Sequence, residues 1–123
     1  MTRAIICEDD PLLALDLELG VRDAGGEVVG VYASAKAAIE GAKALRPHLA
    51  LVDLNLSDGA TGSDVATALS ELGCKVVVIS GGTRDGTKLF GIDHTFISKP
   101  APAHVISDII RSYCANADKV VAV

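Results

Sequence analysis

The chain alternates short, continuously apolar runs with longer stretches rich in Ala and Leu, and few folds accept that rhythm. Ala4 to Cys7, Glu27 to Val31, Leu49 to Val52, Val76 to Ile79 and Thr95 to Ile97 read as strands. Several of them lack the polar alternation of a sheet with one wet face. A parallel strand covered by helices on both sides needs such an unbroken apolar run. The expected class is therefore α/β, with a doubly wound, five-stranded parallel sheet.

The intervening stretches carry helix signals. Asp10 before Pro11 reads as an N-cap followed by the first helical position, and Gly25 with Gly26 ends that helix. Ser34 is placed to cap a second helix that stops before Pro47, and Ser63 to cap a third that ends at Gly73. Pro102 opens the last one, where Val105, Ile106, Ile109, Ile110 and Tyr113 recur at helical spacing. Between Gly81 and Gly91 the glycines and polar residues predict a short or irregular fourth helix. Residues 1–115 are expected to form the domain, and residues 116–123 a short tail.

Bulk properties narrow the function. A chain of 123 residues, half of them hydrophobic and 22% charged, suits a single globular domain without room for an output domain. The net charge of −5 offers no electrostatic footprint for a nucleic-acid backbone. No apolar run approaches the ~20 residues that span a bilayer, so no membrane insertion is expected. Cys7, Cys74 and Cys114 form an odd set without CxxC spacing and without a secretory signal ahead of them, which points to a reducing cytoplasm.

In a doubly wound sheet, ligands bind outside the carboxyl ends of the strands, where the strand order reverses. Glu8, Asp9 and Asp10 follow the first strand, Asp53 ends the third, Ser80 ends the fourth, and Lys99 with Pro100 follows the fifth. Carboxylates gathered at one point repel by about 4 kcal/mol per pair at ~4 Å and an effective dielectric near 20, so a hard divalent cation is implied. Mg²⁺ takes one or two carboxylates, some water and a phosphate oxygen, leaving a carboxylate to act as nucleophile toward phosphorus. Asp53 is the candidate nucleophile, with the Lys99 ammonium and the Ser80 hydroxyl placed to meet the charge spread over a phosphoryl group.

Four segments carry a resemblance: Ile-Ile-Cys-Glu-Asp-Asp-Pro-Leu-Leu at 5–13, Leu-Val-Asp-Leu-Asn-Leu at 51–56, Val-Ile-Ser-Gly-Gly at 78–82 and Phe-Ile-Ser-Lys-Pro at 96–100. In this order they resemble the receiver domains of bacterial response regulators, of the stand-alone, chemotaxis-regulator-like kind. The resemblance implies a flavodoxin-like sheet in the order 2-1-3-4-5. It implies a metal site for Mg²⁺ or Mn²⁺ made by Glu8, Asp9, Asp53 and the backbone carbonyl of Asn55. It also implies phosphorylation of Asp53, with Ser80 and Lys99 assisting and Ser80 and Phe96 acting as the switch pair. The implied partner is a sensor histidine kinase or a histidine phosphotransfer protein, with relay, sink and partner-binding roles all open. The loop after Asp53 is longer than the family's common Pro-containing version.

Plainer readings exist for several residues. Asp10 caps a helix, and an aromatic in a strand, such as Phe96, is ordinarily core. His48, His94 and His104 lack metal spacing and read as surface or loop residues, and Cys7 reads as core. A phosphate-ester hydrolase with an aspartyl nucleophile is disfavoured, because such enzymes commonly carry a second acid where this chain has Asn55. The first helix has an apolar face of Leu13, Leu17, Val21 and Ala24 and a surplus stripe of Leu12, Leu15 and Leu19. A partner's helical bundle, a second copy of the chain in a homodimer, and the last helix are the candidates to cover that stripe.

Overall fold

A computed structural model describes residues 1–59, 61–81 and 91–121, with side chains of the last helix described as far as Cys114. The elements run β1 (Arg3–Cys7), α1 (Pro11–Asp23), β2 (Glu27–Tyr32), α2 (Ala35–Leu45), β3 (Leu49–Asp53), α3 (Gly62–Glu71), β4 (Lys75–Ser80), β5 (His94–Ser98) and α4 (Ala103–Val121). The strands form one parallel sheet in the order β2-β1-β3-β4-β5. This is the expected flavodoxin-like architecture.

Successive side chains of a strand point to opposite faces of the sheet. Ile5, Cys7, Ala50, Val52, Val76 and Val78 accordingly join a core shared with α2 and α3. Ala4, Ile6, Leu49, Leu51, Val77 and Ile79 join a second core with α1 and α4. Both faces are dry, which accounts for the unbroken apolar runs. Cys7 is fully buried, and burial, with a smaller contribution from nearby Cys74, pushes its thiol up to about 12.

Local signals set most helix ends. Asp10 Oδ1 accepts from the amides of Leu12 (2.9 Å) and Leu13 (3.4 Å), and Gly25 ends the helix at a φ of +86°. Ser34 Oγ accepts from the Ala37 amide at 3.2 Å. Helix α2 stops where Arg46 turns left-handed, ahead of Pro47, which disfavours helical geometry in the residue before it. The Arg3 guanidinium, from β1, donates to the freed carbonyls of Leu45 and Arg46, each at 2.6 Å.

Three expectations need adjustment. Helix α3 begins at Gly62, with Thr61 rather than Ser63 in the cap position; the Thr61 hydroxyl makes no cap bond and donates instead to Asp58 in the preceding loop. The last helix continues through Val121, over the residues expected to form a tail. His94 is a half-buried strand residue whose Nδ1 lies 2.7 Å from the Ile92 carbonyl. The expected irregular helix between Gly81 and Gly91 falls on residues 82–90, outside the described residues.

Helices α1 and α4 approach closely at Gly20. A Cβ there would lie 2.8 Å from Cγ2 of Ile106, and Ile106 and Ile110 are fully buried beneath α1. Burying side chains of this size stabilises by about 1.5–3 kcal/mol each. Gly20→Val is expected to force the helices apart and cost about 1–3 kcal/mol. An unchanged urea midpoint would show that the α1–α4 contact tolerates separation.

Candidate functional site

The register of the central strands builds the site. Cys7 of β1 pairs with Val52 of β3, so the residues that follow, Glu8 and Asp53, leave adjacent strands side by side. This is the point where the strand order reverses, since β1 lies between β2 and β3. Carboxylate oxygens of Glu8, Asp9 and Asp53 all lie within 4.8 Å of one another. Glu8 and Asp53 are buried, whereas Asp9 is exposed.

Lys99 enters from the end of β5, where its amide donates to the Ser80 carbonyl at 2.9 Å. Its ammonium donates to Asp53 Oδ2 at 2.6 Å and to Glu8 Oε2 at 3.1 Å. The other Asp53 oxygen, Oδ1, accepts from the Asn55 amide at 3.0 Å. Asp53 is thus gripped from both sides. The Lys99–Pro100 peptide bond is cis.

Burial raises the Glu8 carboxyl above its usual range. The Asp10 amide and the Lys99 ammonium pull it back, but the neighbouring Asp53 pushes it up again, and the balance stays raised. For Lys99, burial works to lower the pKa, yet the bonds to Asp53 and Glu8 outweigh it and the result is raised. A carboxyl that titrates higher in the folded state opposes folding once ionised. Its stabilising, protonated form is complete below the unfolded value and is lost as the pH rises through the folded one.

Ser80 closes β4 with only 2% of its surface exposed. Phe96 lies opposite Val78 across β4 and β5 and packs, partly buried, against the α2–α3 core. Ser80 follows Val78 by one alternation of the strand, so Ser80 and Phe96 belong to the same face of the sheet. Asn55 is exposed in the loop after β3. The structure therefore gathers Glu8, Asp9, Asp53 and Lys99, sets Asn55 beside Asp53 through its amide, and brings Ser80 to the same edge through the Lys99 backbone. A Cβ on Gly81 would make only ordinary contact with the Lys99 stem, and Gly82 lies outside the described residues.

Beside the carboxylates a cavity of about 350 Å³ is lined by Glu8, Leu13, Asp16, Leu17, Ile79, Lys99, Pro100 and Ala101. Leu13 is thus drawn to the rim of the site, 37% exposed, while Leu17 and Val21 of the same face are buried. The surplus stripe of Leu12, Leu15 and Leu19 is 75%, 49% and 51% exposed. The described side chains of α4 do not cover it: Ile106 packs against α1 at Gly20 instead. Sequence reasoning missed Asp58, whose carboxylate caps α2 from the loop after Asp53. The Asp58-Gly59 dipeptide signals a turn, but nothing local points to amides so far back in the chain.

Residues 4–111 match the family described as the response regulator receiver domain. The chain belongs to that family. Receiver domains are signalling switches of two-component systems. Among relatives, the phyllosphere-induced regulator PhyR of Methylorubrum extorquens is 39% identical over 69 residues, covering 55% of this chain and 26% of that protein. The transcriptional regulatory protein DesR of Bacillus subtilis is 28% identical over 117 residues, covering 91% of this chain and 58% of DesR. This receiver thus spans only part of the length of either relative.

Among solved structures, the receiver domain of PhyR from Erythrobacter litoralis superposes with a TM-score of 0.78 at 27% identity, covering 93% of this chain and 90% of that one. The response regulator PhyR from Brucella abortus gives 0.79 at 30% identity, covering 98% of this chain and 51% of that one. No helix among the described residues is long and apolar enough to cross a membrane.

The donor set fits a hard divalent cation: oxygen ligands only, clustered, partly exposed, and short of positive charge with one ammonium against three carboxylates. Without such a cation, Glu8→Gln is expected to melt at a higher temperature than wild type at pH 7. The two should converge as the pH falls below about 3, where a glutamate is protonated in both states. A gap that stays constant from pH 7 to about pH 3 would show that the ionisation of Glu8 does not oppose folding.

Proposed function

We propose that this receiver domain accepts a phosphoryl group on Asp53 from a phosphohistidine of a sensor kinase or phosphotransfer protein. The observation that carries this reading is the pairing of the Asp53 carboxylate with the Lys99 ammonium at 2.6 Å, inside a cluster of carboxylates at the sheet's switch point. Residues 1–115 are the proposed functional unit, which agrees with the family match over 4–111.

Glu8, Asp9, Asp53 and the Asn55 carbonyl would hold Mg²⁺ or Mn²⁺. The cation supplies positive charge opposite the phosphoryl oxygens. The Asp53 carboxylate attacks phosphorus, its P–O bond forming as the P–N bond of the donor breaks and the imidazole nitrogen takes up a proton. Lys99 moves its ammonium from the bare carboxylates to a phosphoryl oxygen, and the Ser80 hydroxyl donates to another. Drawing Ser80 toward the phosphoryl group then changes the packing around Phe96 on the same face of the sheet, which is the proposed switch. Water attack on the acyl phosphate later returns the carboxylate.

Incubation with Mg²⁺ and acetyl phosphate is expected to add one phosphoryl group per chain, read by intact mass, and Asp53→Asn should abolish it. Labelling that survives Asp53→Asn, or wild type that neither labels nor responds to beryllium fluoride, would sink the reading. Sustained turnover of an aryl phosphate would instead mark a hydrolase.

The uncovered leucines of α1, the helix whose Leu13 and Leu17 line the cavity, suit a docking helix of the phosphodonor. Replacing Leu15 and Leu19 together by Glu should leave the melting temperature within a few degrees of wild type. Phosphotransfer from the cognate donor should slow, while acetyl phosphate labelling is retained. Unchanged transfer would remove the stripe from the docking surface.

A further inference from the structure

The loop between β3 and α3 follows Asp53 and is fastened at several of its described residues. The Asn55 amide donates to Asp53 Oδ1 at 3.0 Å, and the loop closes where the Gly62 amide donates to the Leu54 carbonyl at 3.0 Å. Gly62 passes so near that a Cβ on it would collide with the Asp53 carbonyl and with Leu54 Cα. Leu56, 5% exposed, anchors the loop in the α2–α3 core and forms an isolated antiparallel bridge with Gly59.

The middle of the loop is tied to another element. Asp58 accepts from the Ala35 amide at 3.0 and 3.1 Å with its two oxygens, from the Lys36 amide at 3.4 Å and from the Thr61 hydroxyl at 2.7 Å. The adjacent Ser57 amide donates to the Ala33 carbonyl at 2.9 Å. A helix leaves its first four amides without intrahelical acceptors. Ser34 serves Ala37 through its side chain and Ala38 through its carbonyl, so Asp58 supplies the missing acceptors for Ala35 and Lys36. The Ala35 amide foremost, then the Thr61 hydroxyl, hold the Asp58 carboxyl below its usual range, as a carboxylate at a helix N-terminus should be.

We infer that Asp58 is a positioning residue for the phosphoacceptor site: by locking the loop onto the start of α2 it holds Asn55 against Asp53, where the Asn55 carbonyl serves the divalent cation. The inference rests on the phosphoacceptor reading for its chemistry. Asp58 lies between Asn55 and the Gly62 closure, so slack introduced there reaches Asn55 directly. Leu56 restrains the loop only toward the core, whereas Asp58 restrains it along the surface where Asn55 lies. The longer loop after Asp53 thus carries its own fastening.

The test compares Asp58→Ala, Asp58→Asn and Ser34→Ala. Asp58→Ala is expected to speed hydrogen exchange of the Asn55 amide and to weaken Mg²⁺ binding by about tenfold, the scale for loss of an outer partner of a metal ligand. Asp58→Asn keeps one acceptor oxygen and should fall between Asp58→Ala and wild type. Ser34→Ala removes the local cap of the same helix and should change neither readout. Asn55 exchange that matches wild type in Asp58→Ala, or that rises as much in Ser34→Ala, would overturn the inference. If Asp58→Ala does not fold, Asp58→Asn against wild type decides by the same exchange rate. Exchange at Asn55 needs neither metal nor phosphodonor, so it judges Asp58 separately from the labelling of Asp53, which judges the proposed function.

Discussion

Carboxylates from neighbouring strand ends are forced together here by backbone hydrogen bonding, and the molecule has to live with their repulsion. At separations up to 4.8 Å, each pair costs about 3 kcal/mol or more at an effective dielectric of 20. The ladder between β1 and β3 makes this unavoidable, because Cys7 opposite Val52 sends Glu8 and Asp53 out of the sheet together. Lys99 relieves part of it by bonding to both buried carboxylates, leaving Asp9 in solvent. The site retains excess negative charge, one ammonium against three carboxylates.

The surroundings of Lys99 and Asp53 show how such a site is kept open to chemistry. Asp53 is held by an amide on one oxygen and an ammonium on the other, which fixes its orientation. Lys99 is fixed through its backbone to Ser80, which ties two strand ends into one unit. On one side the cavity floored by Leu17, Ile79 and Ala101 gives access from the α1 surface. On the other, the loop fastened by Asp58 and Leu56 forms a firm wall. Of the α1 leucines, Leu13 and Leu17 line the cavity, whereas Leu12, Leu15 and Leu19 form a separate exposed stripe.

Much of this was legible in the residues. Both-sided burial reads directly from Leu49 to Val52 and Val76 to Ile79, since a strand with a wet face would not be apolar at every position. Asp10 before Pro11 and Ser34 were legible caps because their partners lie within the next turn. Ser63 lies inside the first turn of α3 rather than at its cap, because the chain is already helical at Gly62, and this start carries no side-chain cap bond that a local pattern could signal. The extension of α4 through Val121 had no clear stop signal to contradict it, as no Gly or Pro follows Pro102. Asp58 was invisible because the amides it accepts from come from a segment far earlier in the chain.

The sequence by itself determined the class of fold, the order of its elements and the identity of the acids, hydroxyl and amine at the strand ends. Those follow from local periodicity and from which residues end each apolar run. Only the tertiary structure decided that one ammonium bonds both buried carboxylates, that the described side chains of α4 leave Leu12, Leu15 and Leu19 uncovered, and that the loop after Asp53 is locked to α2. Each of these depends on distances between residues remote in the chain, which strand register and helix packing set and which no local pattern encodes.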